Sequence, residues 1–313
     1  MRGRMTPLGG LKRLEYRSLR LDYCKASVSE PVQNMLNLDS SCKPIDNEHQ
    51  RRVDAYFQAT ALDWQNIYTQ NNVYAVIHQQ RQALVLAMVD KLSLPPGEQI
   101  LEVGCGAGLT TAALARRGYN MEAVDTVEEM LNLTRRHATE AAVAHRVRTA
   151  LADINHLTFP SNHFGLVLAV GVLPWVDSLC EPIREIARVT EPGGYLIVNV
   201  DNRWRLNELL DPRLNPIHAP IRKLVRALRH RKHVPHTRRC SSREFDAVLE
   251  KIGYAKIRGI MLGFGPFSLF GRPVLPECVG IKAHNALQCY ADRNVPVLRS
   301  TGAQYLVLAK KQS

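Results

Sequence analysis

An α/β fold built on a parallel sheet is predicted by three features of the 313-residue sequence. The first is Gln99-Ile100-Leu101-Glu102-Val103-Gly104-Cys105-Gly106-Ala107-Gly108, an apolar strand that runs into a glycine turn and then into a helix from Leu109 to Arg117. Ile100, Leu101 and Val103 suit a strand covered on both faces, and Gly118 can stop the helix. The second is that acids recur where later strands end, with Asp125 after Met121-Glu122-Ala123-Val124 and Asp153 after Val147 to Ala152. The third is the alternation of strand and helix segments, which continues to Asp201.

Residues 1–46 read as a flexible basic arm, because in the first 25 residues Arg2, Arg4, Lys12, Arg13, Arg17, Arg20 and Lys25 stand against Glu15 and Asp22, with no sustained apolar period. One domain is expected over 47–313. It opens with a helical segment, 52–93, which carries Tyr56, Phe57, Trp64, Tyr68 and Tyr74. Ile77, Leu84, Met88 and Leu92 then recur at helical spacing until Pro95-Pro96-Gly97. Thr126 and Glu129 read as a capping box for the helix after Asp125. Ser241 and Glu244 read as a second one, for a helix through Phe245, Val248, Leu249 and Ile252 that Gly253 ends. Strands follow at Ile257 to Leu262 and Gln304 to Ala309. Two insertions break the alternation, at about 202–240 and about 263–300. The first holds Pro212, Pro216 and Pro220, then an amphipathic helix with Ile221, Leu224, Val225 and Leu228 on one face and Arg222, Lys223, Arg226 and Arg229 around the rest. The second is rich in Gly, Pro and Phe.

Gly104, Gly106 and Gly108 let the backbone turn tightly and approach a ligand, and the following helix aims its first free N–H groups at the same place. A dinucleotide fold also has glycines after its first strand and an acid about 20 positions later, where Asp125 stands. The spacing here is Glu-x-Gly-x-Gly-x-Gly and not G-x-G-x-x-G. Acids at successive strand ends repel a pyrophosphate, whereas they attract a ligand carrying a sulfonium, an ammonium and one carboxylate. S-adenosylmethionine fits that charge better than NAD.

On these residues the chain resembles the class I S-adenosylmethionine-dependent methyltransferases, over roughly 56–311. Glu102, Gly104, Gly106 and Gly108 match the family's first motif, Asp125 matches the acid that holds both ribose hydroxyls, and Asp153-Ile154 matches the adenine-contacting pair. Phe164-Gly165-Leu166-Val167-Leu168-Ala169 is similar to the fourth strand, and Arg188 to Leu196, with Pro192-Gly193-Gly194 as its turn, to the helix, turn and fifth strand. Gly165 departs from the acid that often begins strand four. The resemblance implies a Rossmann-like, doubly wound, seven-stranded sheet in the order 3-2-1-4-5-7-6 with the last strand antiparallel. It implies a helical lid at 52–93 and cofactor contacts that also take in Cys105, Thr126 and Val170. The implied reaction is an in-line methyl transfer.

Acceptor contacts are expected at Tyr56, Trp64 and Tyr68 in the lid, at Trp175 after strand four, and at Phe264 and Phe267 in the second insertion. Asp177 and His78 are the candidate catalytic residues, as bases for an oxygen or carbon acceptor; Asp177 equally suits a helix cap, and His137 and His163 read as surface histidines. His230, His233, His236 and Cys240 cluster, but Arg229, Arg231, Lys232, Arg238 and Arg239 surround them and the spacing matches no common zinc pattern, so no metal is expected.

The net charge of +12 bears on partners and not on fold. An apolar pocket beside the basic helix 221–231 suits a small or lipid-linked anionic acceptor, with peripheral contact to an anionic membrane through that helix. No nucleic-acid module is recognisable. The rival readings are a nucleic-acid methyltransferase, an NAD-type oxidoreductase and a non-catalytic S-adenosylmethionine-binding scaffold. Seven scattered cysteines without a C-x-x-C pair fit a reducing cytoplasm, and the longest apolar run, Phe164 to Val176, is too short to span a bilayer. A cytoplasmic protein is therefore expected. The acceptor's identity and the oligomeric state are not written in local sequence.

Overall fold

The computed structural model describes residues 47–207, 237–269 and 272–312. The basic arm 1–46 and the basic helix expected at 221–231 lie outside them. The core is a sheet of β1 (Gln99–Val103), β2 (Asn120–Asp125), β3 (Val147–Leu151), β4 (Phe164–Ala169), β5 (Thr190–Asn202), β6 (Arg239–Cys240), β7 (Tyr254–Leu262) and β10 (Gln304–Lys311), with β8 (Ser268–Leu269) and β9 (Arg272–Pro273) forming a separate hairpin. The order β3-β2-β1-β4-β5-β10-β7 is the expected 3-2-1-4-5-7-6, since β7 is the sixth long strand and β10 the seventh. β10 runs antiparallel to both its neighbours, and the pairs among β1 to β5 are parallel. The short β6 is an addition that pairs with the end of β5 through Asp201 and Asn202.

Apolar residues on both faces make this sheet the middle layer. Every residue of β4 is buried, and its side chains divide between two cores: Phe164, Val167 and Ala169 on one face, Leu166 and Leu168 on the other. β1 divides in the same way, with Leu101 and Val103 opposite Ile100. Two-sided burial of this kind is what a parallel strand requires. Gly165 also has a local reason, because a Cβ there would stand 2.6 Å from Glu98 Oε1 and 3.2 Å from Glu191 Oε1. An acid at that position would meet two carboxylates. The Pro192-Gly193-Gly194 turn is absorbed into β5 as a bulge, since Phe164 pairs with Thr190 while Leu166 already pairs with Tyr195.

The helices are α1 (Asn47–Asn66), α2 (Val73–Val89), α3 (Leu109–Ala115), α4 (Glu128–Glu140), α5 (Cys180–Val189), α6 (Ser242–Lys251), α7 (Glu277–Asp292) and α8 (Leu298–Thr301). The 52–93 segment is thus two helices, with Asn72 capping the second through Ala75 N. Ser241 and Glu244 form the expected capping box of α6. The box expected at Thr126 and Glu129 is absent. α4 starts one residue later, with Val127 at the cap position and no side-chain cap bond. Asp125 Oδ1 accepts from Val127 N, while the Thr126 hydroxyl turns away to donate to Asp54 in α1 at 2.8 Å. A carboxylate on the neighbouring helix wins the hydroxyl from its own backbone.

The second insertion contains the 16-residue α7, fastened to the sheet by polar contacts. The fully buried His284 accepts from Phe264 N, Gln288 Oε1 accepts from Gly263 N, and Glu277 accepts from Val73 N. Among the described residues, no helix is long and apolar enough to cross a membrane.

Candidate functional site

At two positions the turn after β1 has room for glycine only. Gly104 (φ +67°) and Gly108 (φ +75°) lie in the left-handed region; a Cβ on the first would come within 2.2 Å of Val172 Cγ2, and on the second within 2.6 Å of the Thr134 backbone. Hydrogen bonds hold the loop from several sides. Gly104 N and Cys105 N both donate to Val124 O, and Gly106 N donates to Asp125 Oδ2 at 3.0 Å. From α4, the Thr134 hydroxyl donates to Gly106 O and His137 Nδ1 to Ala107 O. A carbonyl only accepts, so the His137 proton sits on Nδ1, and its Nε2 is left to accept from Gln65 of α1 at 3.4 Å.

Carboxylates surround this loop. Asp125, at the end of β2, is raised in pKa chiefly by burial, which the bonds from Gly106 N and Val127 N oppose. Glu102 is buried and its carboxyl is pushed up to about 7 by that burial, although the Thr111 hydroxyl donates to it. The Cys105 thiol is raised far above its usual value by burial and by Asp125 and Glu102, which keeps it protonated and unsuited to nucleophilic attack. Asp153 Oδ1 accepts from the Asn155 backbone and side chain, and Ile154 beside it is buried.

Glu102, Gly104, Cys105, Gly106, Gly108, Asp125, Thr126, Asp153, Ile154 and Val170 all line one cavity of about 460 Å³. Its other end is aromatic. Tyr56, Phe57 and Trp64 of α1, Tyr68 in the turn after it, Tyr74 and His78 of α2, and Trp175 after β4 line it as well. Tyr56 stacks on Trp175 at 5.7 Å, Phe57 meets the Trp175 edge at 5.1 Å, and Trp64 meets the His78 ring at 5.6 Å. Phe57 and Trp64 also pack with Ala61 on Ala107, Val127, Met130 and Leu133, so α1 lies across the cofactor-loop side of the sheet. Polar contacts at Thr126–Asp54 and from His49 Nε2 to Trp175 O, 2.8 Å, fasten it there.

Not every expected acceptor contact is at the cavity. Phe264 is fully buried among the core residues and Phe267 packs near Gly265 and Gly280; Gly265 and Pro266, between the two phenylalanines, reach the lining instead. Asp177 does not line it either, and its carboxylate lies 3.6 Å from His49 of α1. His78 does line it. The ring is buried, Nδ1 donates to Tyr74 O, and burial with help from Arg81 lowers its pKa to about 3, so a neutral ring presents Nε2 as an acceptor. That nitrogen orients a donor well and holds a proton poorly at neutral pH.

The structure adds lining residues that sequence reading missed, namely Arg81, Gln304 and the buried ion pair Asp201–Arg205 at 2.6 Å. A signal for Arg81 was present, since it falls on the apolar stripe of Ile77, Val85 and Met88. Among the described residues, no three His, Cys, Asp or Glu side chains are grouped to hold a metal ion, and His230, His233 and His236 lie outside those residues.

Comparison with known proteins finds similarity over part of the chain. Residues 101–198 match a family described as a methyltransferase domain. The ubiquinone biosynthesis O-methyltransferase of Aeromonas salmonicida is 28% identical over 149 residues, 48% of this chain and 61% of that protein. That of Hahella chejuensis is 31% identical over 121 residues, 38% of this chain and 50% of that protein. The chain thus spans about three-fifths or less of the length of these curated relatives. Among solved structures, magnesium protoporphyrin IX methyltransferase from Synechocystis PCC 6803 aligns over 84% of this chain and all of that one, with TM-score 0.59 and 17% identity. The [4+2]-cyclase SpnF aligns over 83% of this chain and 95% of that one, with TM-score 0.56 and 18% identity. At such identities the structures speak for the fold.

Proposed function

We propose that this chain, which carries a class I S-adenosylmethionine-dependent methyltransferase domain, transfers a methyl group from S-adenosylmethionine to a small acceptor, free or lipid-linked, that bears an anionic group. One observation carries the reading: the acid-ringed glycine loop and the aromatic lid open into the same cavity. Asp125 is assigned the ribose hydroxyls, Asp153 and Ile154 the adenine, and Glu102 the ammonium of the amino-acid tail, while Cys105, Thr126 and Val170 line the path between them. The charge of the site agrees with this ligand, because Glu102 and Asp125 are buried carboxyls whose ionised forms a cation would stabilise.

S-adenosylmethionine supplies an electrophilic methyl group when bound. The protein's own part is to hold the acceptor in line between Trp175, Tyr56 and His78 and to exclude water with α1, which brings reacting atoms together without chemical participation by a side chain. His78 Nε2 accepts a hydrogen bond from the acceptor and fixes its orientation. The relatives' printed O-methyltransferase activity supports an oxygen acceptor. The net charge of +12, with the run of basic residues at 221–231 in the sequence, supports an anionic one.

The fold is shared with a protein described as a cyclase, so binding and transfer are tested separately. Calorimetry with S-adenosylmethionine, S-adenosylhomocysteine and NAD is expected to give binding of the first two and none of the third. Incubation with methyl-labelled cofactor and candidate phenolic or carboxylic acceptors then tests turnover. Tight NAD binding, or cofactor binding with no transfer to any acceptor, would sink the reading.

A further inference from the structure

Five of the ten large apolar side chains that stay exposed among the described residues fall in the stretch 269–297: Leu269, Val274, Val279, Tyr290 and Val297. Single exposures scattered over a surface need no explanation, but a group gathered in one insertion marks a face that something covers. Leu269 is in the β8–β9 hairpin, and Val274 directly follows it with its N–H donating to Phe267 O at 3.0 Å. The Phe267 ring lies 3.9 Å from where a Cβ on Gly280 would be, so the hairpin rests against the first turns of α7. α7 buries Gly280, His284, Gln288 and Ala291, and it exposes Val279, Lys282, Ala286, Tyr290 and Arg293. Val297 is 65% exposed and has φ +71° in a turn closed by Leu298 N to Pro296 O. A β-branched residue suits that backbone poorly, so local folding gives no reason for valine there.

The charge on this face has one sign. Arg272, Lys282, Arg293 and Arg299 are exposed around the apolar group, and none of them pairs with a carboxylate among the described residues. The two acids of α7 bond back to the domain, Glu277 accepting from Val73 N and Asp292 from Gln288 Nε2. A second copy of the chain would set cations against cations across a two-fold axis, which opposes self-association. An anionic bilayer takes both components at once, the apolar side chains into the headgroup boundary and the cations among the phosphates. The chain on either side of this stretch also enters the cavity wall, through Gly265 and Pro266 before it and Ala303 and Gln304 after it.

We infer that the β8–β9 hairpin and the exposed face of α7 dock on an anionic phospholipid bilayer. This face is separate from the basic run at 221–231, which lies outside the described residues. The docking rests on the exposed side chains alone. Its service, bringing a lipid-linked acceptor to a cavity that shares a wall with the docked segment, rests on the methyltransferase reading.

The test floats the whole chain with vesicles of phosphatidylcholine alone and of equal parts phosphatidylcholine and phosphatidylglycerol. Wild type should bind the mixed vesicles, less so as salt is raised, and the neutral ones far more weakly. Val279→Ser with Tyr290→Ser, and separately Lys282→Gln with Arg293→Gln, should each lower the partition coefficient about tenfold. Arg136→Gln with Arg148→Gln removes the same charge from exposed positions elsewhere and should lower it by less than about threefold. A fluorophore sensitive to polarity, placed on the exposed Cys289 after Cys24, Cys42 and Cys278 are changed to Ser, should shift to the blue with the mixed vesicles only. Melting temperature and S-adenosylhomocysteine affinity should stay at wild-type values, since each patch substitution replaces an exposed side chain. The inference is overturned by a wild type that stays off the mixed vesicles, by an equal loss in the Arg136 and Arg148 pair, or by bound protein whose Cys289 label does not shift. It is also overturned by a dimer in sedimentation velocity that Val279→Ser with Tyr290→Ser splits, which gives the face to a second copy. Failure to bind S-adenosylhomocysteine or to transfer a methyl group counts against the methyltransferase reading alone, and the vesicle comparison then still decides the docking.

Discussion

The two ends of the cavity are built in different ways. At the glycine-loop end, Glu102, Gly104, Gly106, Gly108 and Asp125 come from 24 consecutive residues and are tied by backbone bonds, such as Gly106 N to Asp125. At the aromatic end, Tyr56, Trp64, His78, Arg81, Trp175 and Gln304 come from four separated stretches and meet through ring contacts and one amide. The first end is a property of one strand-turn-helix unit. The second exists only when α1, α2 and the last strand have docked, so substitutions there should leave nucleoside binding largely alone, whereas those at the glycine loop should not.

The largest break in that contrast should come from Gly108→Val. Gly108 has a positive φ, and a Cβ there would fall 2.6 Å from the Thr134 Cα. The left-handed backbone costs about 1–2 kcal/mol for a residue with a Cβ, and forced overpacking costs about 1–3 kcal/mol more. Chemical denaturation should therefore report a loss of about 2–5 kcal/mol, with S-adenosylhomocysteine binding abolished. A variant as stable as wild type would mean that α3 and α4 can separate freely at this point.

Asp125→Ala is the next largest. Removing the carboxylate costs the ligand its charged hydrogen bonds, worth about 1.5–3 kcal/mol of affinity, and leaves Gly106 N and Val127 N without their acceptor. Calorimetry should show a roughly tenfold to hundredfold weaker S-adenosylmethionine complex, in a protein that still folds. Binding at wild-type strength would refute the ribose assignment.

This same division explains what could be read from sequence. The glycine loop and the acids were legible because each is written in a short stretch with its own geometric demand, and the strand order followed from the family resemblance that those stretches carry. Trp175, Tyr56 and Trp64 were legible only as aromatics in plausible places. Phe264 looked the same in sequence, yet it is buried while its neighbours Gly265 and Pro266 face the cavity. Nothing local distinguishes them, because the choice depends on where α7 and His284 hold the chain. Arg81 was missed because a lone arginine belongs to no motif, and although its place on the apolar stripe points inward, what it meets there depends on the last strand, far away in sequence.

A pH effect of moderate size sharpens the contrast further. Glu102 has its carboxyl raised from 4.5 to about 7 by burial, so the folded protein holds this proton more tightly than the unfolded chain. Stability from this group therefore falls as pH rises from about 4.5 to about 7 and changes little above. Ligand binding has the opposite sign, because a cationic tail stabilises the ionised form and expels the proton. Affinity for S-adenosylmethionine should rise by up to about tenfold per pH unit below 7 and level off above it. Calorimetry in two buffers of different ionisation enthalpy should detect about one released proton at pH 6. Glu102→Gln should flatten the profile, and a flat wild-type profile would show that the tail does not meet this carboxyl.

The smallest effect is expected at the seam between the two ends, where Thr126 stands beside Asp125 but bonds to α1. As a helix cap it would support α4, and Thr126→Val would lower the melting temperature without touching ligand kinetics. In the structure it donates to Asp54 of α1 at 2.8 Å, and α4 takes its first turn without a side-chain cap. Deleting the hydroxyl then removes one bond to a carboxylate, worth about 1.5 kcal/mol where that carboxylate is shielded and less where water reaches it. Much of that loss should fall on the docking of α1, since the bond joins α1 to the end of β2 and not α4 to itself. The expected result is a dissociation rate for S-adenosylhomocysteine that is about threefold to tenfold faster by stopped-flow tryptophan fluorescence, with the melting temperature of the ligand-free protein nearly unchanged. The double substitution with Asp54→Ala should add little to the rate, because the two residues make one contact. A fall in melting temperature with unaltered dissociation would return Thr126 to the role of a cap and leave α1 held by its aromatic contacts alone.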